Sequence, residues 1–447
     1  MVSAGPARRG GPAVGRRPVP PYVGRLLRRP RVPVWAASGE LRDRWVRHRV
    51  ALAWALLFLN TLTFVPGGLL PLPARIGKAC TQGALPLAIL VALSVNPAVI
   101  RWRDRRVPRT GGPLSGLVVR PNVFLCLAFL LVGDALITTI QPQHLGTVYR
   151  TFRLAEFVTA LWLLTPWWGR RDLLLLRCHL RCLYAAIGLV TLGIFVSPGR
   201  AFAQDGRLSG TIWPMYPTQV AQYAAVAAGL TVVLWLSRLL SGRVTLAGVS
   251  LTVAVLLLTH TRTAIASLLA GILVAGLSLF SISARVRKFL VAGAAVVSVG
   301  VMTVASVVTT WLARGEDAEG LTTLTGRTNF WALVLDQPRT TFQQIFGFGL
   351  SNASINGLPI DSNWLAGYMM EGLLGVTICA SMLAFLFVSA FFFQPRGPRR
   401  ALGLFLVAYC TVASFTEVGF TDASTYMLHL AVAASLLVMP LAGSPED

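Results

Sequence analysis

Charge is scarce in this sequence. Only 13% of its 447 residues are Asp, Glu, Lys or Arg, about half the share of a soluble chain. That excludes an ordinary globular enzyme, and a hydrophobic content of 55% excludes a disordered chain. Acids are the scarcer sign, 17 against 40 Lys and Arg, for a net charge of +23. Lysine is almost missing, with Lys78 and Lys288 alone. Such an excess would suggest nucleic acid in a soluble protein; here its placement against apolar runs matters more than its sum, and no nucleic-acid partner is expected. The six cysteines form no disulfide framework. Cys126, Cys379 and Cys410 sit inside apolar runs, as small buried thiols do. Cys178, His179 and Cys182 lack the further ligands a zinc site needs. Also absent is the ten-residue apolar–polar alternation of a membrane β-barrel.

Continuous apolar runs are what is present, and mean hydropathy is +0.65. A helix needs roughly 20 mostly apolar residues to cross a bilayer. Apolar windows fall at 50–65, 79–95, 122–140, 152–168, 180–197, 217–237, 244–259, 263–280, 289–312, 363–393, 401–417 and 425–441. The expected fold is therefore all-α: a polytopic membrane protein of about twelve transmembrane helices with one large extracytoplasmic loop, 313–362. The run 244–280 is too long for one crossing and is interrupted only at Thr259-His260-Thr261-Arg262-Thr263, which reads as a tight reversal at the outer surface. With the N-terminus inside, 30 of the 40 Lys and Arg fall on inner connections, as the positive-inside rule requires. The expected organisation is a basic, disordered cytoplasmic arm at 1–49, a membrane domain at 50–441 and a cytoplasmic tail at 442–447. The arm holds twelve arginines that suit anionic lipid headgroups. No short apolar region with a small-residue cleavage site follows its pairs Arg8-Arg9, Arg16-Arg17 and Arg28-Arg29, so a cleaved signal is not expected. No internal repeat of the inverted-transporter kind is visible.

Ionisable residues away from the inner side carry the chemical information, because charge within a membrane is costly. They include Arg150, Arg153, Arg200, Arg207, Arg262, Arg314, Arg327 and Arg339, with the acids Asp205, Asp336, Asp361 and Glu417 and, just inside a helix, Glu371. Three constellations stand out. One is Arg207-Leu208-Ser209-Gly210-Thr211, leading through Pro214 and Pro217 into a helix with Gln219 and Gln222. The second is Thr261-Arg262-Thr263. The third is the long loop, opening with Gly326-Arg327-Thr328-Asn329-Phe330-Trp331 and closing with Asp361-Ser362-Asn363-Trp364-Leu365, before Glu371-Gly372 and Gly375. Plainer readings compete with each. A helix-end arginine often snorkels to a lipid phosphate. Gly347 and Gly349 lack the preceding strand and following Lys of a phosphate loop and read as turn glycines. Glu316-Asp317-Glu319 reads as a solvated loop crest, and the intramembrane acids Asp134 and Glu156 as partners for Arg150 or Arg153. Taken together, guanidinium forks at the outer boundary suit phosphate oxygens. They could hold a lipid-linked pyrophosphate as a leaving group while a carboxylate or imidazole takes a proton from an attacking hydroxyl.

At these residues the chain resembles the O-antigen ligase and polymerase superfamily of bacterial membrane glycosyltransferases. Those proteins carry an Arg-x-Ser-Gly segment, a Ser-Arg-Thr-like helix start, Gly-Arg-x-x-x-Trp opening a large outer loop, and His-Asn-x-x-Leu closing it before Glu-x-Gly. The counterparts, spread over roughly 200–380, are Arg207, Arg262, Gly326-Arg327 with Trp331, and Asn363. The resemblance implies a polyprenyl-diphosphate-linked glycan donor, a glycan or lipid acceptor, and inverting, metal-independent transfer without a cofactor in the plasma (inner) membrane. Arg207, Arg262 and Arg327 would bind the donor, and Asn363 would help fix the loop. The family's loop histidine has no counterpart; Asp361 stands nearest as the base, with His260 in reserve. The main rival is a twelve-helix secondary transporter or polysaccharide exporter. Against it, Arg-Trp-Arg-Asp-Arg-Arg at 101–106 lacks the leading glycine of the facilitator loop motif. Transferases using polyprenyl monophosphate sugars are disfavoured because residues 66–78 hold no acid.

Overall fold

The structure is a computed structural model that describes residues 34–64, 74–97, 99, 117–140, 145–313, 327–350, 354–355 and 358–438. The arginine pairs of the arm, the 101–106 segment, Arg314, the 316–319 acids, Gly326 and the tail lie outside the described residues. The chain divides into two compact units, 1–45 and 46–447. The described part of the first is the opening of helix α1, and every other described element belongs to the second.

The main helices are α1 (Val34–Thr61), α2 (Ala74–Ser94), α3 (Val123–Thr138), α4 (Leu145–Leu163), α5 (Leu174–Val196), α6 (Pro217–Leu236), α7 (Gly242–Leu258), α8 (Arg262–Leu279), α9 (Ala284–Ala313), α10 (Arg327–Leu335), α11 (Thr341–Phe346), α12 (Asn363–Val388), α13 (Pro398–Ala413) and α14 (Thr425–Leu437). The described strands are one two-residue pair, β1 (Ser354–Ile355) antiparallel to β2 (Leu358–Pro359). Each apolar window coincides over most of its length with a described helix. Five helical segments are long and apolar enough to cross a membrane: 75–94, Leu174–Val196, Pro217–Leu236, Arg262–Leu279 and Asn363–Phe393, the last including a π-turn after α12. Helices α3, α7 and α14 are apolar but shorter. This is a helical, multi-pass membrane architecture.

Two boundaries differ from expectation. Helix α1 starts at Val34, so 34–49 is helical where a disordered arm was expected. Half of that stretch is Ala, Glu, Leu and Arg, which favour helix whatever their hydropathy, and a window tuned to apolar length does not register it. The long loop is likewise not structureless: it contains α10 and α11.

Helix α6 is the centre of the bundle, buried along nearly its whole length and packed on α5, α7, α8 and α13. Small residues allow this. A Cβ on Gly229 would fall 2.0 Å from the ring of Phe405, and one on Gly271 of α8 2.8 Å from the same ring. The aromatic side chain of α13 thus fills the space both glycines leave, the close approach that small residues permit between membrane helices.

From α1 to α8 successive helices alternate in direction, as the bonds at their ends record. At one end arginines donate to carbonyls at helix termini and in the connections that follow them. Arg285 Nη1 donates to Trp235 O at 2.9 Å, Arg120 Nη1 to Trp168 O at 2.9 Å, and Arg399 Nη2 to Gly169 O and Arg170 O at 3.0 and 2.7 Å. Arg47 and Arg170 pair there with Asp172 at 3.2 and 3.4 Å. We term this the arginine end. The opposite end, where α1 finishes and α12 begins, is the site end.

Between them the core holds a polar row. Trp54 Nε1 of α1 donates to His179 Nδ1 of α5 at 3.3 Å. His179 Nε2 lies 2.8 Å from His429 Nδ1 of α14, and the Gln222 side-chain amide of α6 lies 3.3 Å from His429 Nε2. All four residues are buried.

Candidate functional site

The pentad at 259–263 does break the helix. Helix α7 ends at Leu258 and α8 opens with Arg262. His260 adopts φ +49 to make the turn. The carbonyls left open at the end of α7 are met by the Arg207 segment: Leu208 N donates to Leu258 O at 2.9 Å and Arg207 Nε to Thr259 O at 2.9 Å. Arg207 Nη2 continues to Thr261 Oγ1 at 3.1 Å. Ser209 N donates to Ala201 O at 2.9 Å, and Gly210 is required because a Cβ there would stand 2.3 Å from Trp213 O. The Arg-x-Ser-Gly segment is thereby folded onto the turn, which groups Arg207, His260 and Arg262. Arg207 has a structural duty alongside any ligand it meets.

The connection from α13 to α14, residues 414–424, runs across the site end as a strap. Its Thr416 Oγ1 donates to Thr263 Oγ1 at 2.7 Å. Asn363, the first residue of α12 and 1% exposed, donates its N–H to Ser414 O at 2.9 Å. Its Oδ1 accepts from Gly419 N at 3.2 Å and Phe420 N at 2.8 Å. Further along, the Asp422 carboxylate stands 3.8 Å from both Arg150 and Arg153 of α4, and Arg153 Nη2 donates to Ala423 O at 2.6 Å. Asp422 takes the part expected of Asp134 or Glu156: the side chains at 150 and 153, three apart on one helix face, turn to the strap. Thr425 then bonds Thr61 Oγ1 at 3.0 Å, and Gln219 Nε2 donates to Thr61 O at 3.1 Å and Tyr223 Oη at 2.7 Å.

Of the residues singled out from sequence, Arg207 is bonded to the turn that carries His260 and Arg262, and the strap bonds both Thr263, next to Arg262, and Asn363. Asp361 precedes Asn363 by two residues and is half-buried. Arg327 opens α10, which packs on α12; its side chain lies outside the described residues. Sequence reasoning passed over Asp422, Asn60 and Lys78. The available signal for Asp422 was its being one of two acids, with Glu417, in the short 414–424 connection.

Beside the strap lies a cavity of about 800 Å³ between α1, α2 and α4, lined among others by Asn60, Lys78, Gln82, Tyr149, Arg150 and Arg153. Arg153 Nε donates to Asn60 Oδ1 at 3.2 Å at its wall, and Asn60 Nδ2 to Thr81 O at 2.8 Å.

Two turns into α12 the helix breaks. Gly372 has φ +63 and ψ −160. The carbonyls freed by the break are taken by the segment after α11: Phe348 N donates to Met369 O at 2.9 Å and Gly349 N to Met370 O at 2.8 Å. Gly347 and Gly349 have φ +78 and +91, so they are turn glycines. At the break Glu371 is buried, facing Asp134 of α3; neither carboxyl has a hydrogen-bond partner among the described residues. Both aim at the notch left by Gly375, where a Cβ would stand 2.7 Å from Glu371 Oε2 and 3.3 Å from Asp134 Oδ2.

No family model matches the chain, and no curated protein matches it.

Proposed function

We propose that this chain is a membrane glycosyltransferase of the O-antigen ligase/polymerase kind, moving a glycan from a polyprenyl-diphosphate carrier to an acceptor hydroxyl. The observation that carries the reading is convergence. Segments around 207, 260 and 363, far apart in the chain, meet at one end of the bundle: Arg207 bonds the 259–263 turn, and a single strap bonds that turn and Asn363. Guanidinium forks suit a diphosphate, and Arg207, Arg262 and Arg327 are assigned to it. The acceptor oxygen attacks the anomeric carbon. The bond to the diphosphate oxygen breaks with inversion, its electron pair stays on the diphosphate, and the acceptor proton passes to Asp361, with His260 in reserve. No metal enters this scheme.

The same reading makes twelve crossings, puts the arginine end and both termini in the cytoplasm of a bacterium, and sets the site end at the outer face of the plasma membrane. Alternation of helix direction from α1 to α8 supports the first eight crossings, and the arginines near Trp168, Trp235 and Gly169 support the orientation. A transporter reading draws on one observation: unpartnered Asp134 and Glu371 at a broken helix, a feature of coupled carriers.

The deciding experiment supplies the protein in lipid with a polyprenyl-diphosphate-linked oligosaccharide, with and without chelator. The expected result is release of free polyprenyl diphosphate, insensitive to chelator and lowered about 100-fold or more in Arg262→Ala, the loss typical of removing one transition-state charge partner. No release from any donor, together with saturable solute movement in vesicles, would transfer the assignment to the carrier.

A further inference from the structure

Glycosyl transfer brings two substrates together, and the Arg207–Arg262 cluster accounts for one of them. We infer that the cavity between α1, α2 and α4 binds the second, and that this acceptor is an anionic carbohydrate carrying a carboxylate or phosphate on its sugars. The inference rests on the transferase reading for the word acceptor; the binding chemistry stands on the cavity itself.

Three properties of the walls select that ligand class. Volume is the first: about 800 Å³ lies within the range of roughly 300–1,000 Å³ that encloses small ligands, enough for an oligosaccharide fragment. The second is polarity. Asn60, Thr63 and Gln82 offer amide and hydroxyl groups, while Tyr149 and Tyr216 offer ring faces with a polar tip. Hydroxyl-rich rings with alternating C–H faces match such walls. A polyprenyl chain does not, since among the described residues the large apolar side chains in the lining are Leu62 and Phe64 alone.

Charge is the third. Lys78, Arg150 and Arg153 line the cavity, and among the described residues no Asp or Glu does. The carboxylate that meets both arginines, Asp422, reaches them from the strap at 3.8 Å in each case. That is far outside the 2.7–2.9 Å typical of a closed charge-assisted hydrogen bond. A ligand carboxylate or phosphate entering from the cavity side can close that gap and stand in for Asp422. Asp422 shares its strap with the residues that bond Asn363 and Thr263, so one connection joins the cavity wall to the turn that carries Arg262.

The test titrates full-length protein in detergent with tetragalacturonate and, separately, with maltotetraose, a neutral chain of equal length. The expected result is at least about tenfold tighter binding of the acidic chain, the scale of one charge-assisted contact. Lys78→Gln, an exposed position, should weaken the acidic chain alone by about threefold to tenfold. Asp422→Asn, which removes the competing carboxylate, should tighten it. Equal affinity for the two chains, or an unchanged acidic affinity in Lys78→Gln, would overturn the inference. So would displacement of tetragalacturonate by a short-chain polyprenyl diphosphate at lower concentration than by unlabelled tetragalacturonate, since the site would then belong to the lipid headgroup. If donor turnover is normal and neutral and acidic acceptors are extended equally, the inference falls and the transferase stands. If no donor is turned over while charge-selective binding persists, the transferase falls and the anionic glycan site stands.

Discussion

Gly372→Ala is expected to cost about 3–5 kcal/mol and to lower the thermal unfolding midpoint of the detergent-solubilised protein sharply. Two costs add. The backbone at φ +63, ψ −160 lies in a region essentially reserved for glycine, worth about 1–3 kcal/mol to any other residue. The new Cβ would also stand 2.3 Å from Ile345 O and 2.6 Å from Phe346 N. Those are backbone atoms of α11 that cannot swing aside, and overpacking of this kind costs about 1–3 kcal/mol more. Gly188→Ala is the control: a Cβ there meets nothing within 4 Å, and alanine in a helix interior gains up to about 1 kcal/mol over glycine. An alanine at 372 that unfolds with the wild-type midpoint would mean that α11 does not dock on the break.

Asn363→Ala comes next, at about 2–4 kcal/mol. Its side-chain oxygen serves two strap amides, Gly419 N and Phe420 N, in a buried setting. Truncation leaves both donors without an acceptor, at about 1–3 kcal/mol each. Asn363→Asp retains the acceptor, so it should keep most of that stability. A thermal melt of the three proteins reads the order wild type, Asp, Ala; an alanine variant as stable as wild type would show that the strap is held elsewhere. On the transferase reading, the alanine variant also loses donor turnover, because the strap is what holds α12 to the 259–263 turn.

Residue type alone made part of this legible. The helical windows were readable because membrane-length apolar runs leave no other option, and the turn at 259–263 because it is the only polar interruption between 244 and 280. Asn363 was marked as a polar group at a helix start, and Arg207 by its place with Ser209 and Gly210 in an outer connection. What stayed hidden depends on partners distant in sequence. Gly372 in an apolar run looks like any small packing residue; that the helix breaks there is set by α11 arriving from the loop. Arg150 and Arg153 looked for acids nearby in sequence, while their carboxylate comes from Asp422, some 270 residues on. Arg207 was read only as a donor-binding arginine, yet two of its nitrogens are turned toward Thr259 and Thr261. The helical 34–49 segment escaped because hydropathy measures suitability for lipid, not for helix.

The buried row Trp54, His179, His429, Gln222 has only one grammatical sense. An indole nitrogen can donate but never accept, so His179 Nδ1 is the acceptor and its hydrogen sits on Nε2. That hydrogen points at His429 Nδ1, which leaves the hydrogen of His429 on Nε2, directed at Gln222. The sentence is complete only when the amide oxygen of Gln222, rather than its nitrogen, receives it. One tryptophan on α1 thus dictates the tautomer of two histidines and the orientation of an amide on three other helices.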